Sequence, residues 1–335
     1  MNKIKISKIS KYALSLIAVA TLSCSSLSFS MDIFDAIKTN DIKRVEKILK
    51  NKSFNINKAN KFGNTPLHDA CYDDNLEIVA LLLASGAQKS IYIAKDTFWS
   101  PLLWACYNNN LEIVKLLLND AYLQLGESGT KEYINRTDKD CLNVLSWACE
   151  NNNLEIVKLL LKYGAHESIN KSDKYDATPF LISCNKNNLE MAKLLLDRGA
   201  HKSINKADSD GCTPLYFACW RNNLDMVKLL LNRGAQESIS KVNNYFMTPL
   251  FWTCKNDNPE IVELLLVNGA DIDQKSFFNA EDKPKILQLL TVAQNYDTTT
   301  EKNKQEFISK NNEYYEMLAK RALTKYLNET NKNKK

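Results

Sequence analysis

Apolar and polar positions along residues 60–275 recur with one fixed spacing. Residues 208–242 set the pattern: Asp-Ser-Asp-Gly-Cys, then Thr213-Pro214-Leu215, an Ala218-Cys219 pair, Asn222-Asn223, and the run Leu224-Asp-Met-Val-Lys-Leu-Leu-Leu231. Gly234-Ala235 and a polar stretch complete it. Cys219 returns as Cys71, Cys106, Cys149, Cys184 and Cys254, in steps of 35, 43, 35, 35 and 35 residues. A period of this size is the signature of a solenoid, in which each unit buries its apolar face against its neighbours.

Each unit predicts two helices. Thr-Pro-(Leu/Phe), starting at Thr65, Thr178, Thr213 and Thr248, opens a short first helix. Threonine caps free amides there, and proline occupies a first-turn position whose amide has no partner. An Asn or Asp pair stops it: Asp74-Asn75, Asn109-Asn110, Asn152-Asn153, Asn187-Asn188, Asn222-Asn223 and Asp257-Asn258. The first of each pair tolerates the left-handed conformation, and the second can cap the next helix. The second helix, as in Leu154-Glu-Ile-Val-Lys-Leu-Leu-Leu161, ends at Gly-Ala, with glycines 86, 164, 199, 234 and 269. About a dozen polar residues then lead to the next unit, a length that fits a hairpin finger.

Thr65-Pro-Leu-His-Asp-Ala-Cys71 and Leu76-Glu-Ile-Val-Ala-Leu-Leu-Leu-Ala-Ser-Gly-Ala87 resemble the ankyrin repeat over residues 31–275. The resemblance implies an all-α solenoid of paired antiparallel helices with β-hairpin fingers, and helical caps at both ends. The units run two residues longer than the usual length of about 33, and the excess is assigned to the finger. Glycine survives in the finger only as Gly63 and Gly211; Phe98, Cys141, Asp176 and Phe246 replace it. That replacement predicts a loss of regular hairpin geometry at those fingers.

The ends and one insertion depart from the pattern. Residues 31–60 keep the two-helix spacing without Thr-Pro-Leu, as an N-terminal capping unit requires. About six repeats follow over residues 61–275, the unit from 138 opening on Asn143-Val144-Leu145, and with an insertion near residues 121–129 read as a surface loop or a lengthened finger. Residues 276–335 form a C-terminal helical cap and tail, with helices expected over 281–295 and 301–328 and a disordered end.

Composition then changes the picture at the N-terminus. The formal charge is +5, but residues 1–30 hold Lys3, Lys5, Lys8 and Lys11 and no acid, which leaves 40 minus 39, or +1, for the remainder. A nearly neutral body carries no electrostatic footprint for nucleic acid. The charged start followed by the apolar run from Tyr12 to Leu22 reads as a signal peptide cleaved near Ser30, and the run is too short for an ordinary membrane anchor. The mature chain is therefore expected to be exported (periplasmic, secreted or delivered to another cell) and to lack a membrane span. Cys24 raises the alternative of lipidation, though Thr21-Leu22-Ser23 is a poor context for it.

Six of the nine cysteines occupy one slot on successive first helices. Packed helices lie about 8–10 Å apart, whereas a disulfide requires Cα atoms within about 7 Å. These thiols cannot pair along the stack and stand in for the small buried alanine of the repeat. Cys141 and Cys212, on fingers, are the candidates for reactivity.

Motifs for chemistry are missing: there is no phosphate loop, nucleophile elbow or acidic cation loop, and the three histidines have no Cys or carboxylate at metal-ligand spacing. The expectation is a non-enzyme with no catalytic residues, cofactor or metal. Asn135-Arg-Thr and Asn170-Lys-Ser match a glycosylation pattern. The resemblance implies a monomer that binds a protein partner on the concave and fingertip face. At first-helix ends and fingertips the candidate contact residues are Phe62, Tyr72, Trp99, Tyr107, Tyr175, Trp220, Arg221 and Tyr245, since aromatics and arginine dominate binding hot spots. Tyr107 and Trp220 fall where the fold requires no ring. A second column, Trp104, Trp147, Phe217 and Trp252, reads as packing between units. An effector acting on a host protein is the first functional expectation; a periplasmic scaffold, or regulation of an enzyme through the C-terminal helices, are the alternatives.

Overall fold

A computed structural model describes residues 32–92, 99–137 and 140–294, and the single residue Ser309. The proposed signal peptide and the helix expected over 301–328 lie outside the described residues. The chain divides into two compact units, residues 1–96 and 97–335. At the division the sequence carries Lys95 where other fingers begin with Asn or Asp.

In the first unit the helices Ile33–Lys38 and Ile42–Leu49 stack on Pro66–Tyr72 and Leu76–Ala84. Asp32 and Asp41 cap the first two helices through their carboxylates. In the second unit the first helices are Pro101–Tyr107, Val144–Glu150, Pro179–Asn185, Pro214–Trp220 and Pro249–Lys255, each of the last four packed on the one before it. The second helices Leu154–Lys162, Leu189–Asp197, Leu224–Asn232 and Pro259–Val267 each pack on the first helix of their own repeat. Gln274–Phe278 and Pro284–Gln294 close the described part as a shortened pair on the last repeat.

The sequence signals act as their chemistry requires. The Thr178, Thr213 and Thr248 hydroxyls accept the N–H groups of Leu181, Tyr216 and Phe251 at 3.1–3.2 Å. Asn143, in the repeat without threonine, does the same with its amide oxygen at 2.9 Å from the Ser146 nitrogen. First helices stop on left-handed Asp74, Asn109, Asn152, Asn187, Asn222 and Asp257, φ 55–61°. The core is the slot pattern itself, with Ala70, Cys71, Ala105, Cys106, Ala148, Cys149, Ala218 and Cys219 wholly buried among Ile, Val and Leu of the second helices.

The paired asparagines also bond from one repeat to the next. The capping Asn153, Asn188, Asn223 and Asn258 donate from Nδ2 to Oδ1 of Asn109, Asn152, Asn187 and Asn222 at 2.6–2.8 Å. A parallel ladder runs behind the second helices. Asn135 and Asn170 donate to the carbonyls of Gly164 and Gly199 and accept from the Ser168 and Ser203 hydroxyls at 2.6 Å. Asn135 and Asn170, which stand in two of the glycosylation patterns, therefore hold neighbouring repeats together, and Asn135 is buried.

Three expectations need correction. The described fingers contain no strands, only an isolated antiparallel bridge between Thr137 and Asn143. They are five-residue loops in which the first side chain accepts two backbone N–H groups: Asp173 from Tyr175 and Ala177, Asp208 from Asp210 and Cys212, Asn243 from Tyr245 and Met247. Loss of glycine leaves that geometry intact, because Cys141, Asp176 and Phe246 take the left-handed position at φ 57–60°. The stretch between Gly-Ala and the finger loop opens with 3-10 turns, Ala165–Ser168, Ala200–Ser203 and Ala235–Ser238. Finally, the insertion is neither a loop nor a finger. It prolongs the second helix over Leu111–Ile134, kinked at Gly126 with φ 67° and ψ −171°, since residues 111–125 keep helix-forming side chains until a glycine permits the break.

Candidate functional site

The first helices place one side chain at their exposed C-terminal end in every repeat, and the next residue ties that end to its neighbour. Asn151 donates to the carbonyls of Cys106 and Tyr107 at 2.8 and 2.9 Å, and Asn256 to those of Cys219 and Trp220 at 3.1 and 3.2 Å. Arg221 fills the same role from Nε to the Asn185 carbonyl at 2.8 Å, with Nη2 3.2 Å from Asn185 Oδ1. At the equivalent point between, Lys186 pairs with Glu150 at 2.5 Å. Terminal carbonyls of a helix otherwise lack partners, so Arg221 has a structural task in addition to its exposure.

The rings gather into two clusters within the second unit. In the first, Tyr107 stands edge-on to Trp147, Trp99 and Trp104, with centroids 4.9, 5.6 and 5.9 Å away. Trp99 lies 4.2 Å from Trp104 and 5.6 Å from Trp147. Edge-to-face pairs at these spacings are favourable beyond simple burial. Tyr107 is 46% exposed, yet three indoles surround its edges. Tyr107 therefore packs against rings of its own fold as well as facing solvent.

The second cluster is looser and carries cations. Trp220, 38% exposed, lies 6.1 Å from Phe217 and 6.2 Å from Trp252. The Arg221 guanidinium stacks on the Trp220 ring at 4.2 Å, and the Lys255 ammonium sits 4.8 Å over Trp252. Cations over indole faces are attracted by the ring quadrupole.

The remaining predicted contact residues stand on fingers or in the first unit. Tyr175 and Tyr245 are exposed on fingers of the second unit, with Lys174 5.0 Å from the Tyr175 ring. Successive fingers are joined edge to edge by backbone bonds, from the Ser209 nitrogen to the Tyr175 oxygen and from the Asn244 nitrogen to the Asp210 oxygen, both 2.8 Å. In the first unit Phe62 and Tyr72 are exposed, with Lys61 4.9 Å from the Phe62 ring. The structure thus brings Trp99 to Tyr107 and Arg221 to Trp220.

Sequence reasoning missed Phe246. It is 73% exposed and left-handed, and Lys275 Nζ donates to its carbonyl at 2.9 Å. Its only signal was its position, one where Gly63 and Gly211 stand elsewhere.

The thiols fit the packing role. Burial pushes the Cys184 and Cys254 pKa values up to about 12 and those of Cys71, Cys106, Cys149 and Cys219 higher still. Cys212 is buried as well, accepting from Asn243 Nδ2 at 3.5 Å, while Cys141 is exposed. The two finger cysteines are therefore not equivalent. His68 accepts from the Thr65 nitrogen at Nδ1, 3.3 Å away, so its proton sits on Nε2, and burial lowers its pKa to about 4.

The ankyrin-repeat family model, as three copies, matches residues 33–127, 121–206 and 201–276. The chain belongs to the ankyrin-repeat family. It is similar to the Notch-regulated ankyrin repeat-containing proteins of Xenopus laevis and Xenopus tropicalis, each 33% identical over 87 residues, covering 25% of this chain and 75% of the relative. Among solved structures it is similar to the ankyrin repeat domain of Bcl-3, described as a unique member of the IkappaB protein family. That likeness has a TM-score of 0.50 and 26% identity, covering 65% of this chain and 91% of the other. Membership implies protein–protein interaction. Among the described residues no helix is long and apolar enough to cross a membrane.

Proposed function

We propose that this ankyrin-repeat protein is exported and binds a protein partner without catalysis of its own, acting as a monomeric effector on a host protein. The observation that carries the binding reading is Trp220. Its indole is left 38% exposed at a first-helix end, where the equivalent residues are Tyr107, Glu150, Asn185 and Lys255, so stacking of the repeats demands no ring. A large amphipathic ring at little conformational cost is what an interface anchor needs. Export rests on the charged and apolar pattern of residues 1–30.

Cells and any associated host are fractionated and the mature chain is recovered with what it binds. Trp220→Ala should then weaken binding to that partner by about 2 kcal/mol or more while leaving the protein folded. Unchanged affinity would remove the binding reading at this surface. The mature N-terminus, read from the exported form, should be Met31 or Asp32; a lipidated Cys24 there, or an uncleaved start, would overturn the export route.

A further inference from the structure

The two ring clusters differ in charge, and that difference specifies the partner. Around Tyr107 the neighbouring charges cancel, because Glu150 is bonded to Lys186 at 2.5 Å. Around Trp220 and Trp252 they do not. Arg221 and Lys255 lie on successive first-helix ends, both exposed, and neither joins a carboxylate in an ion pair among the described residues. Arg221 spends Nε and Nη2 on Asn185 and leaves Nη1 free. Lys255 touches only rings, 4.8 Å from Trp252 and 6.0 Å from Phe251. Each cation is held over an indole with donors still directed outward.

We propose, building on the binding reading above, that the surface formed by Trp220, Arg221, Trp252 and Lys255 takes an acidic segment of a protein partner. An apolar side chain of that segment covers the exposed Trp220 edge, and its carboxylates meet Arg221 and Lys255. A carboxylate that replaces water at a guanidinium already stacked on a ring gains a charge-assisted hydrogen bond without a rotamer search. An acidic segment alone gains too little at exposed cations in salt, so an apolar anchor beside the charge is required. The overall charge of the body conceals this local excess, which acts within about one Debye length, roughly 8–10 Å.

The test is a displayed library of random 12-residue peptides, selected on the full chain. Recovered peptides are synthesised and measured against the parent, Trp220→Ala and Lys255→Glu, with thermal melting to show that both variants fold. Lys255 donates no side-chain hydrogen bond and enters no ion pair among the described residues, so its reversal tests charge. The expected result is a set of net-negative peptides containing a large apolar residue, weakened at least about tenfold by either variant, and weakened by added salt on the parent and on Trp220→Ala but much less on Lys255→Glu. Neutral or basic peptides that depend on Trp220 but not on Lys255 would overturn the acidic partner and leave the binding surface standing. Acidic peptides without an apolar residue, indifferent to Trp220→Ala, would show bare counterion attraction and overturn it too. A library yielding nothing that depends on Trp220 would sink both readings.

Discussion

The ring cluster around Tyr107 and the one around Trp220 arise from the same slots of the repeat, three repeats apart, and have become different things. At Tyr107 three indoles stand at 4.9–5.9 Å and meet the phenol edge-on. At Trp220 the neighbouring rings are 6.1 and 6.2 Å away, and the closest companion is a guanidinium at 4.2 Å. Ring–ring contact satisfies the first cluster from within the fold. The second is completed by exposed charged groups that water also reaches, so part of its interaction capacity remains open. Exposure alone does not separate the two, since Tyr107 is the more exposed at 46% against 38%. What a side chain touches decides whether an exposed ring is packing or an anchor.

The comparison has a scale, set by the buried core beneath both clusters. Leu230 is wholly buried, and Leu230→Ala should destabilise the second unit by about 2–5 kcal/mol through lost burial and a residual cavity, read by denaturant unfolding. A smaller loss there would mean that neighbouring repeats collapse into the space.

Next in size comes the clusters' own contrast. Tyr107→Ala should cost about 1–3 kcal/mol of stability, because it removes three edge-to-face contacts at once, and should leave partner affinity unchanged. Trp220→Ala should cost less than half as much in the same unfolding measurement, although it is the larger ring. Equal losses would erase the distinction, and a greater loss at Trp220 would invert it.

The smallest effect sharpens the question of what exposed rings are for. Phe246 holds φ 57° with its ring 73% exposed, a conformation that costs a non-glycine residue about 1–2 kcal/mol. Phe246→Gly relieves that strain but adds freedom to the unfolded chain, so a net stabilisation of about 0.5–1 kcal/mol is expected in thermal unfolding. A destabilised variant would show that the ring packs against its finger or Lys275.

The sequence by itself determined the repeat, its helix boundaries and its core. These are local or periodic properties: a threonine or asparagine caps whatever helix follows it, a left-handed Asn ends one anywhere, and the Ala-Cys slot returns every 35 residues. The eight candidate contact residues were legible for the same reason, as positions in a register. Tertiary structure decided their roles. The ring contacts of Tyr107 depend on Trp99 and Trp147, 8 residues before it and 40 after it, which meet only when the repeats stack. Arg221 became a cap because a carbonyl of the preceding repeat lies 2.8 Å away. The finger geometry was misjudged from its missing glycines because the organising force there is a side chain accepting two backbone amides. Asp173, Asp208 and Asn243 supply it. The insertion, too, took its form from helical propensity running on until Gly126, where only a residue without Cβ turns the chain at no cost.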